Sequence, residues 1–224
     1  MTVPTGPLSH SVEDYLKTIY SLGERGDGPV TTSGLSERLG LSASTVSGMV
    51  RKLTAQRLID HEPYGVITLT DTGLDMALAV VRRHRLVEMF LVTQLAYRWD
   101  EVHQEAEILE HAVSELLIQR IDAVLGSPQF DPHGDPIPSA TGEVPLVDAI
   151  RMSALPPGGV GTLVRVDDHD PQVLRHLTQL GIALGDRLEL AERLPFDGGQ
   201  LIRTGVATYH FPRALAAALW ITLH

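Results

Sequence analysis

Residues 32–53, TSGLSERLGLSASTVSGMVRKL, hold the pattern that decides the first domain. Thr32 or Ser33 can cap a short helix running through Leu39, and Gly40 supplies the backbone freedom that ends it. Ser42 then caps a second helix whose apolar residues Val46, Met49, Val50 and Leu53 recur at helical spacing. Two short helices across a glycine-containing turn make a helix-turn-helix. Upstream, Val12, Tyr15, Leu16, Ile19 and Tyr20 predict a helix over residues 9–22, with both tyrosines in its core face. Downstream, Leu58 to His61, a turn at Pro63-Tyr64-Gly65 and the alternating run Val66 to Leu69 predict a short hairpin, the wing of a winged helix-turn-helix.

Beyond the wing, Thr70 or Asp71 caps a long helix predicted to reach about Leu95, and Asp100 opens another predicted to continue to about Leu125. The second helix carries Ala106, Ile108, Leu109, Val113, Leu116 and Leu117, more apolar surface than a short DNA-binding domain covers, so a homodimer is expected. Residues 126–159 are rich in Pro, Gly, Ser and Asp and read as a long connection. After Gly161, short Val/Leu-rich segments alternate with turns and one helix near Gln172 to Leu180, which suggests a small SH3-like β-barrel. The expected fold is mainly α with a small β component. It comprises a winged helix-turn-helix at 1–72, a helical metal-binding and dimerisation domain at 73–142, a linker at 143–159 and an SH3-like domain at 160–224.

Composition narrows the function. The 224 residues are 43% hydrophobic and 21% charged, as expected of a globular chain, and no run of 18 apolar residues suggests a membrane span. No basic and apolar leader is evident, so a cytoplasmic location is expected. With no cysteine, disulfides, thiolate metal sites and cysteine nucleophiles are excluded, and any metal must be held by imidazole and oxygen. The net charge of −10 works against nucleic-acid binding, but it is unevenly spread. Between Leu41 and Leu58 the charged residues are Arg51, Lys52 and Arg57, whereas acids gather from Asp100 to Glu115. One basic face can still meet DNA, and cations bound at the acidic cluster would lessen the repulsion.

That cluster is the second informative stretch. On one predicted helix, His103, Glu107, Glu110 and His111 fall within an arc of roughly 100° at about 100° per residue. The preceding helix carries His84 and Glu88 four residues apart on one face. Three histidines and three carboxylates on two helices suit a divalent cation and would repel one another without it. A solvated acidic helix face is the bland alternative.

In these residues the chain resembles the diphtheria-toxin repressor family of metal-dependent transcriptional regulators. The resemblance rests on five segments in register: Glu13 to Tyr20 (EDYLKTIY), Ser44 to Ser47 (STVS), Arg83 to Glu88 (RHRLVE), Val102-His103 through Glu110-His111, and Gly134 to Pro138 (GDPIP). Together they cover about the first 140 residues. The resemblance implies two metal sites per subunit. A regulatory site would use Asp14, Glu107, Glu110 and His111, and an ancillary site His84, Glu88 and His103 with a ligand from the C-terminal domain. Asp170 is the best match for that last ligand, with Gln172 nearby but out of register and Val173 where the family's iron sensors carry Gln. Those sensors also carry Met at the position of Asp14 and Cys at that of Glu107; hard carboxylates at both point to the manganese-dependent branch, with Fe²⁺ as the alternative.

The remaining residues are assigned by chemistry. Ser42, Ser44, Thr45, Ser47, Arg51 and Lys52 suit contacts to double-stranded DNA, while Gly48 stands where relatives carry a base-contacting Gln, so shape is expected to contribute to specificity. His61, His133, His169 and His176 read as surface residues. The expected function is a manganese-dependent repressor, not an enzyme, whose dimer binds a palindromic operator controlling metal-homeostasis genes. A metallohydrolase and a metal-independent winged-helix regulator are the competing classes; the first lacks a separate general acid or base at a loop mouth.

Overall fold

A computed structural model describes residues 9–26, 28–62, 65–196 and 198–224. Pro63 and Tyr64 of the expected wing turn lie outside these residues. The chain forms two compact units, residues 1–83 with 138–143, and residues 84–137 with 144–224.

The N-terminal unit contains α1 (His10–Glu24), α2 (Thr32–Leu39), α3 (Ala43–Ala55), β1 (Ile59–His61), β2 (Ile67–Leu69) and the first half of α4 (Asp71–Leu95). The cap of α2 is Thr31, one residue before the expected pair, and its hydroxyl accepts from the Gly34 N–H. Gly40 closes α2 at φ +64°, a left-handed conformation that a side chain disfavours. Ser42 caps α3 by accepting from the Thr45 N–H. The apolar faces of these helices meet in a core built on Leu16, Leu35, Val46, Leu53, Leu58 and Ile67. Fully burying each such side chain contributes about 1.5–3 kcal/mol. The two strands pair antiparallel with Ile59 opposite Leu69 and His61 opposite Ile67, as the alternating pattern requires.

The second unit combines the rest of α4 with α5 (Val102–Leu109), α6 (Glu115–Leu125) and a C-terminal sheet. The single helix expected from Asp100 to Leu125 is two. Residue 110 ends α5, residues 111–114 turn, and Ser114 caps α6 by accepting from the Leu117 N–H. A serine inside an apolar-periodic run was therefore a start signal. Leu86, Val87, Leu91, Val102, Ala106, Ile118 and Ile121 fill the helical core.

The sheet consists of β3 (Ile150–Arg151), β4 (Val160–Val166), β5 (Arg187–Arg193), β6 (Gln200–Arg203), β7 (Thr208–Phe211) and β8 (Leu219–Leu223). Two helices, α7 (Pro171–Leu180) and α8 (Arg213–Ala217), pack with it. Its order is β3-β8-β4-β5-β6-β7 with antiparallel neighbours. Residues 150–155, expected as linker, instead supply β3 and a 3-10 turn whose Met152, with the following Leu155, is fully buried in the sheet's core. Short apolar stretches bounded by Pro and Gly resemble a linker locally, and only packing distinguishes them.

Candidate metal centre and nucleic-acid face

On α4, His84 and Glu88 share one face across one turn, and both are buried. On α5, Val102 and Ala106 face the core, which turns His103 and Glu107 toward α4. The His84 Nε2 lies 3.0 Å from Glu88 Oε1 and 3.2 Å from His103 Nδ1. The His103 Nδ1 is 3.1 Å from the same Glu88 oxygen and 2.8 Å from Asp168 Oδ2, which follows β4. His84, Glu88, His103 and Asp168 therefore each bring one donor atom to a common point, all four within 4.8 Å of one another.

Asp170, expected in that role, does not join them. Its exposed carboxylate caps α7 by accepting from the Gln172 N–H at 2.9 Å, and Gln172 is exposed as well. Asp168 is buried and takes its place. His169 and His176 are exposed as expected, and His61 is half-buried.

His133, expected at the surface, is fully buried. Its Nε2 pairs with the Trp99 carbonyl at 2.7 Å and so carries the donated proton, which leaves Nδ1 turned to Glu88 Oε2 and Asp168 Oδ2, each 3.9 Å away. Neither His133 Nδ1 nor Glu88 Oε2 has a hydrogen-bond partner among the described residues. Glu88, Asp131 and His133 form a second group of donors within 4.8 Å, sharing Glu88 with the first. A Gly/Pro-rich segment gave no periodicity from which to infer this burial. The one available signal was the run Asp131-Pro132-His133-Gly134-Asp135, three titratable residues in a loop.

The electrostatics are those of buried imidazoles and carboxylates that charge one another. Burial alone would raise the Glu88 pKa, yet the His84 charge, hydrogen bonds from His103 and His84, and the His133 charge hold it well below the usual carboxylate range. Burial opposes charge on His103, but Asp168 and Glu88 push its pKa up to about 11; His133, opposed likewise by burial, is pushed up to about 9 by Glu88, Asp168 and Asp131. Burial and the neighbouring Asp135 drive the Asp131 carboxyl well above its ordinary value. Buried imidazoles and carboxylates with two orphaned donor atoms fit a divalent cation of intermediate hardness.

Of the three regulatory-site residues expected on one helix, only Glu107 lies within it. Glu107 lies on α5 and is half-buried; Glu110 is fully buried beyond the helix end, with His111 in the turn after it. His84 Nδ1 lies 2.5 Å from Glu110 Oε2, so His84 touches both Glu110 and Glu88. His84, Glu107 and Glu110 form a third donor group, and His111 Nε2 is 3.4 Å from Glu110 Oε1. Asp14 is half-buried on α1 of the N-terminal unit.

On α3, Val46, Val50 and Leu53 are buried, which leaves Ser42, Ser44, Thr45, Ser47, Arg51 and Lys52 exposed. The Ser42 hydroxyl lies 2.9 Å from that of Ser44 and 2.8 Å from that of Thr45, a cluster of polar groups at a helix N-terminus, while Arg51 and Lys52 lie toward the other end of α3. Space is open above Gly48.

Three family descriptions match the chain in order: "Iron dependent repressor, N-terminal DNA binding domain" over residues 7–67, "Iron dependent repressor, metal binding and dimerisation domain" over 70–139, and "FeoA domain" over 150–223. The iron-dependent repressor IdeR of Mycobacterium tuberculosis (strain ATCC 25618 / H37Rv) is 33% identical, covering 95% of this chain and 96% of that protein. The diphtheria toxin repressor of Corynebacterium glutamicum is 31% identical over 82% of this chain and 84% of its own. Among solved structures, a manganese-dependent transcriptional repressor in complex with manganese is 49% identical with a TM-score of 0.91, covering 95% of this chain and all of that one. The manganese regulator SloR is 34% identical with a TM-score of 0.81, covering 95% and 98% of the two chains. Sequence pattern, architecture and full-length similarity together make this chain a member of the diphtheria-toxin repressor family of metal-dependent transcriptional regulators.

Proposed function

We propose that this protein is a homodimeric, manganese-dependent repressor that binds a palindromic operator and controls metal-homeostasis genes. The observation that carries this reading is the buried convergence of His84, Glu88, His103 and Asp168 in a chain of this family. These four form the ancillary centre, with Asp131 and His133 as its further donors. Asp14, Glu107, Glu110 and His111 form the regulatory site. When bound, the cation supplies the positive charge that lets these buried carboxylates face one another. Asp14 belongs to α1, which also packs the DNA-binding core through Val12, Tyr15 and Leu16, so its engagement by the regulatory site links metal occupancy to the reading head.

Manganese is favoured because Asp14, Glu107 and Glu110 are hard oxygen donors and the chain has no cysteine. The 49% identical manganese-complexed repressor supports the same choice. Ferrous iron is the second reading, supported by the iron-dependent curated relatives. For the dimer, Ile108, Leu116, Leu117 and Val124 stand exposed on α5 and α6, an apolar face within the region matched to a metal-binding and dimerisation domain. The DNA contacts are assigned to the hydroxyls and cations of α3, in the region matched to a DNA-binding domain.

The test is anaerobic operator titration in buffered free Mn²⁺, Fe²⁺, Co²⁺ and Zn²⁺. Tight binding with Mn²⁺ at its buffered cellular level, lost on chelation, is expected. Binding that ignores chelator selects a metal-independent regulator, and activation by Fe²⁺ alone selects the iron reading.

A further inference from the structure

We propose that Arg165, on β4, is a positioning residue for the ancillary centre: through Asp135 it holds the 131–136 loop so that His133 faces Glu88 and Asp168. The proposal rests on the metal-dependent reading above.

Arg165 and Asp135 are both buried, and they form a direct ion pair between the Arg165 Nη2 and Asp135 Oδ1. A buried pair of this kind costs desolvation energy, and apolar residues would fill the space at no such cost. The loop it grips has several other anchors. Asp131 Oδ1 accepts from the backbone N–H of His133 at 2.8 Å and of Asp135 at 2.9 Å. The Val166 N–H donates to the His133 carbonyl at 2.9 Å, and Arg85 of α4 donates to the Pro136 carbonyl at 2.5 Å. These contacts fix the loop backbone against α4 and β4. They leave the Asp135 carboxylate to be neutralised, and Arg85 Nη2 lies 3.7 Å from its Oδ1. Arg165 is itself braced, with its guanidinium 4.9 Å from the centre of the Trp220 ring. Asp168, a donor to the centre, lies three residues farther along the same segment. One side chain thus ties the C-terminal sheet to the loop that carries Asp131 and His133, while Asp168 extends from that sheet.

Losing Arg165 leaves Asp135 buried with a poorer partner, and the loop relaxes at the position that sets the His133 ring. Groups that orient ligands in this way typically change metal affinity by about 10–100-fold. The experiment uses the full-length protein and follows free Mn²⁺ by electron paramagnetic resonance, with two affinity classes expected in the wild type. Alanine variants of His103 and His111 assign each class to its centre. The visible spectrum of the Co²⁺ form reports coordination at the ancillary centre.

Arg165→Gln is expected to weaken the ancillary class about 10–100-fold, alter the Co²⁺ spectrum and leave the regulatory class unchanged. Arg165→Lys, which keeps the charge, should lose less. Asp135→Asn combined with Arg165→Gln removes the unpaired charge and should recover part of the loss. Melting of the metal-free forms identifies any variant that does not fold; the lysine variant and Asp135→Asn then carry the comparison. An unchanged ancillary class, or equal weakening of both classes, overturns the positioning role. A wild type without a second affinity class overturns the two-centre reading itself, and the proposal falls with it.

Discussion

Asp168 and Asp170 carry the same carboxylate two positions apart, and the backbone gives them unlike surroundings. Asp168 is buried 2.8 Å from His103, while Asp170 stands at the exposed start of α7 with Pro171 behind it. Asp168→Ala should therefore weaken the ancillary centre without moving the cap, whereas Asp170→Ala should cost about 1 kcal/mol of stability through the lost cap and leave metal affinity unchanged. Mn²⁺ titration and thermal melting of both variants check this, and the reverse pattern would restore Asp170 as the ligand. The imidazoles make a second prediction. His103 and His133, with pKa values pushed up to about 11 and about 9, are both protonated at neutral pH in the metal-free protein. A ligating imidazole must be neutral, so metal binding releases protons and competes with them. Affinity at the ancillary centre should rise with pH from the neutral range, most steeply below about 9, and keep rising toward about 11, with proton release measurable by calorimetry in buffers of different ionisation enthalpy. Affinity independent of pH between 6.5 and 8.5 would place these two rings outside the ligand set.

At the scale of elements, Gly134 fixes how the 131–136 loop meets β4. Its φ is +85°, and a Cβ there would come within 1.9 Å of the Val164 carbonyl oxygen, an overlap with backbone that no rotamer relieves. Gly134→Ala should destabilise the protein by about 2 kcal/mol or more and detach His133 from the centre; a melting temperature equal to wild type would contradict that account. The loop also marks where sequence stopped being legible. Amphipathic periodicity located α1 and α3, and Gly40, Ser42 and Thr70 marked ends or caps that placed α2 and α4, because local hydrogen bonding decides those features. His84, Glu88 and His103 were readable because two donors one helical turn apart share a face. Asp131, His133 and Asp168 were not, since they sit outside periodic segments and their burial depends on contacts distant in sequence. The break between α5 and α6 was missed for a related reason. Apolar spacing continues across Glu110–Ser114, and only the capping hydroxyl of Ser114 reveals the turn.

For the whole molecule, the net charge of −10 sets the terms of operator binding. DNA approach is opposed by the acidic regions and favoured by the exposed Arg51 and Lys52 of α3, so on the proposed reading metal loading would help twice, by neutralising carboxylates and by engaging Asp14. Which metal does so depends on the donors of the regulatory site. In the proposed site Asp14 and Glu107 would contribute hard oxygens, and Mn²⁺, lowest in the divalent affinity order, would be selected by oxygen-rich, high-coordination surroundings rather than by intrinsic strength. Replacing both, as Asp14→Met with Glu107→Cys, substitutes two sulfurs for two carboxylates. The double variant should respond poorly to Mn²⁺ while keeping a response to Fe²⁺ or Co²⁺, read as operator affinity against buffered free metal. Dimer content and helicity are measured first so that misfolding is separated from selectivity. An unchanged Mn²⁺ preference in a folded dimer would move selectivity to the ancillary donors. His84 is the candidate intermediary in that case, because its two ring nitrogens touch Glu110 on one side and Glu88 on the other. Metal choice at the ancillary centre would then be felt at the regulatory site through a single imidazole.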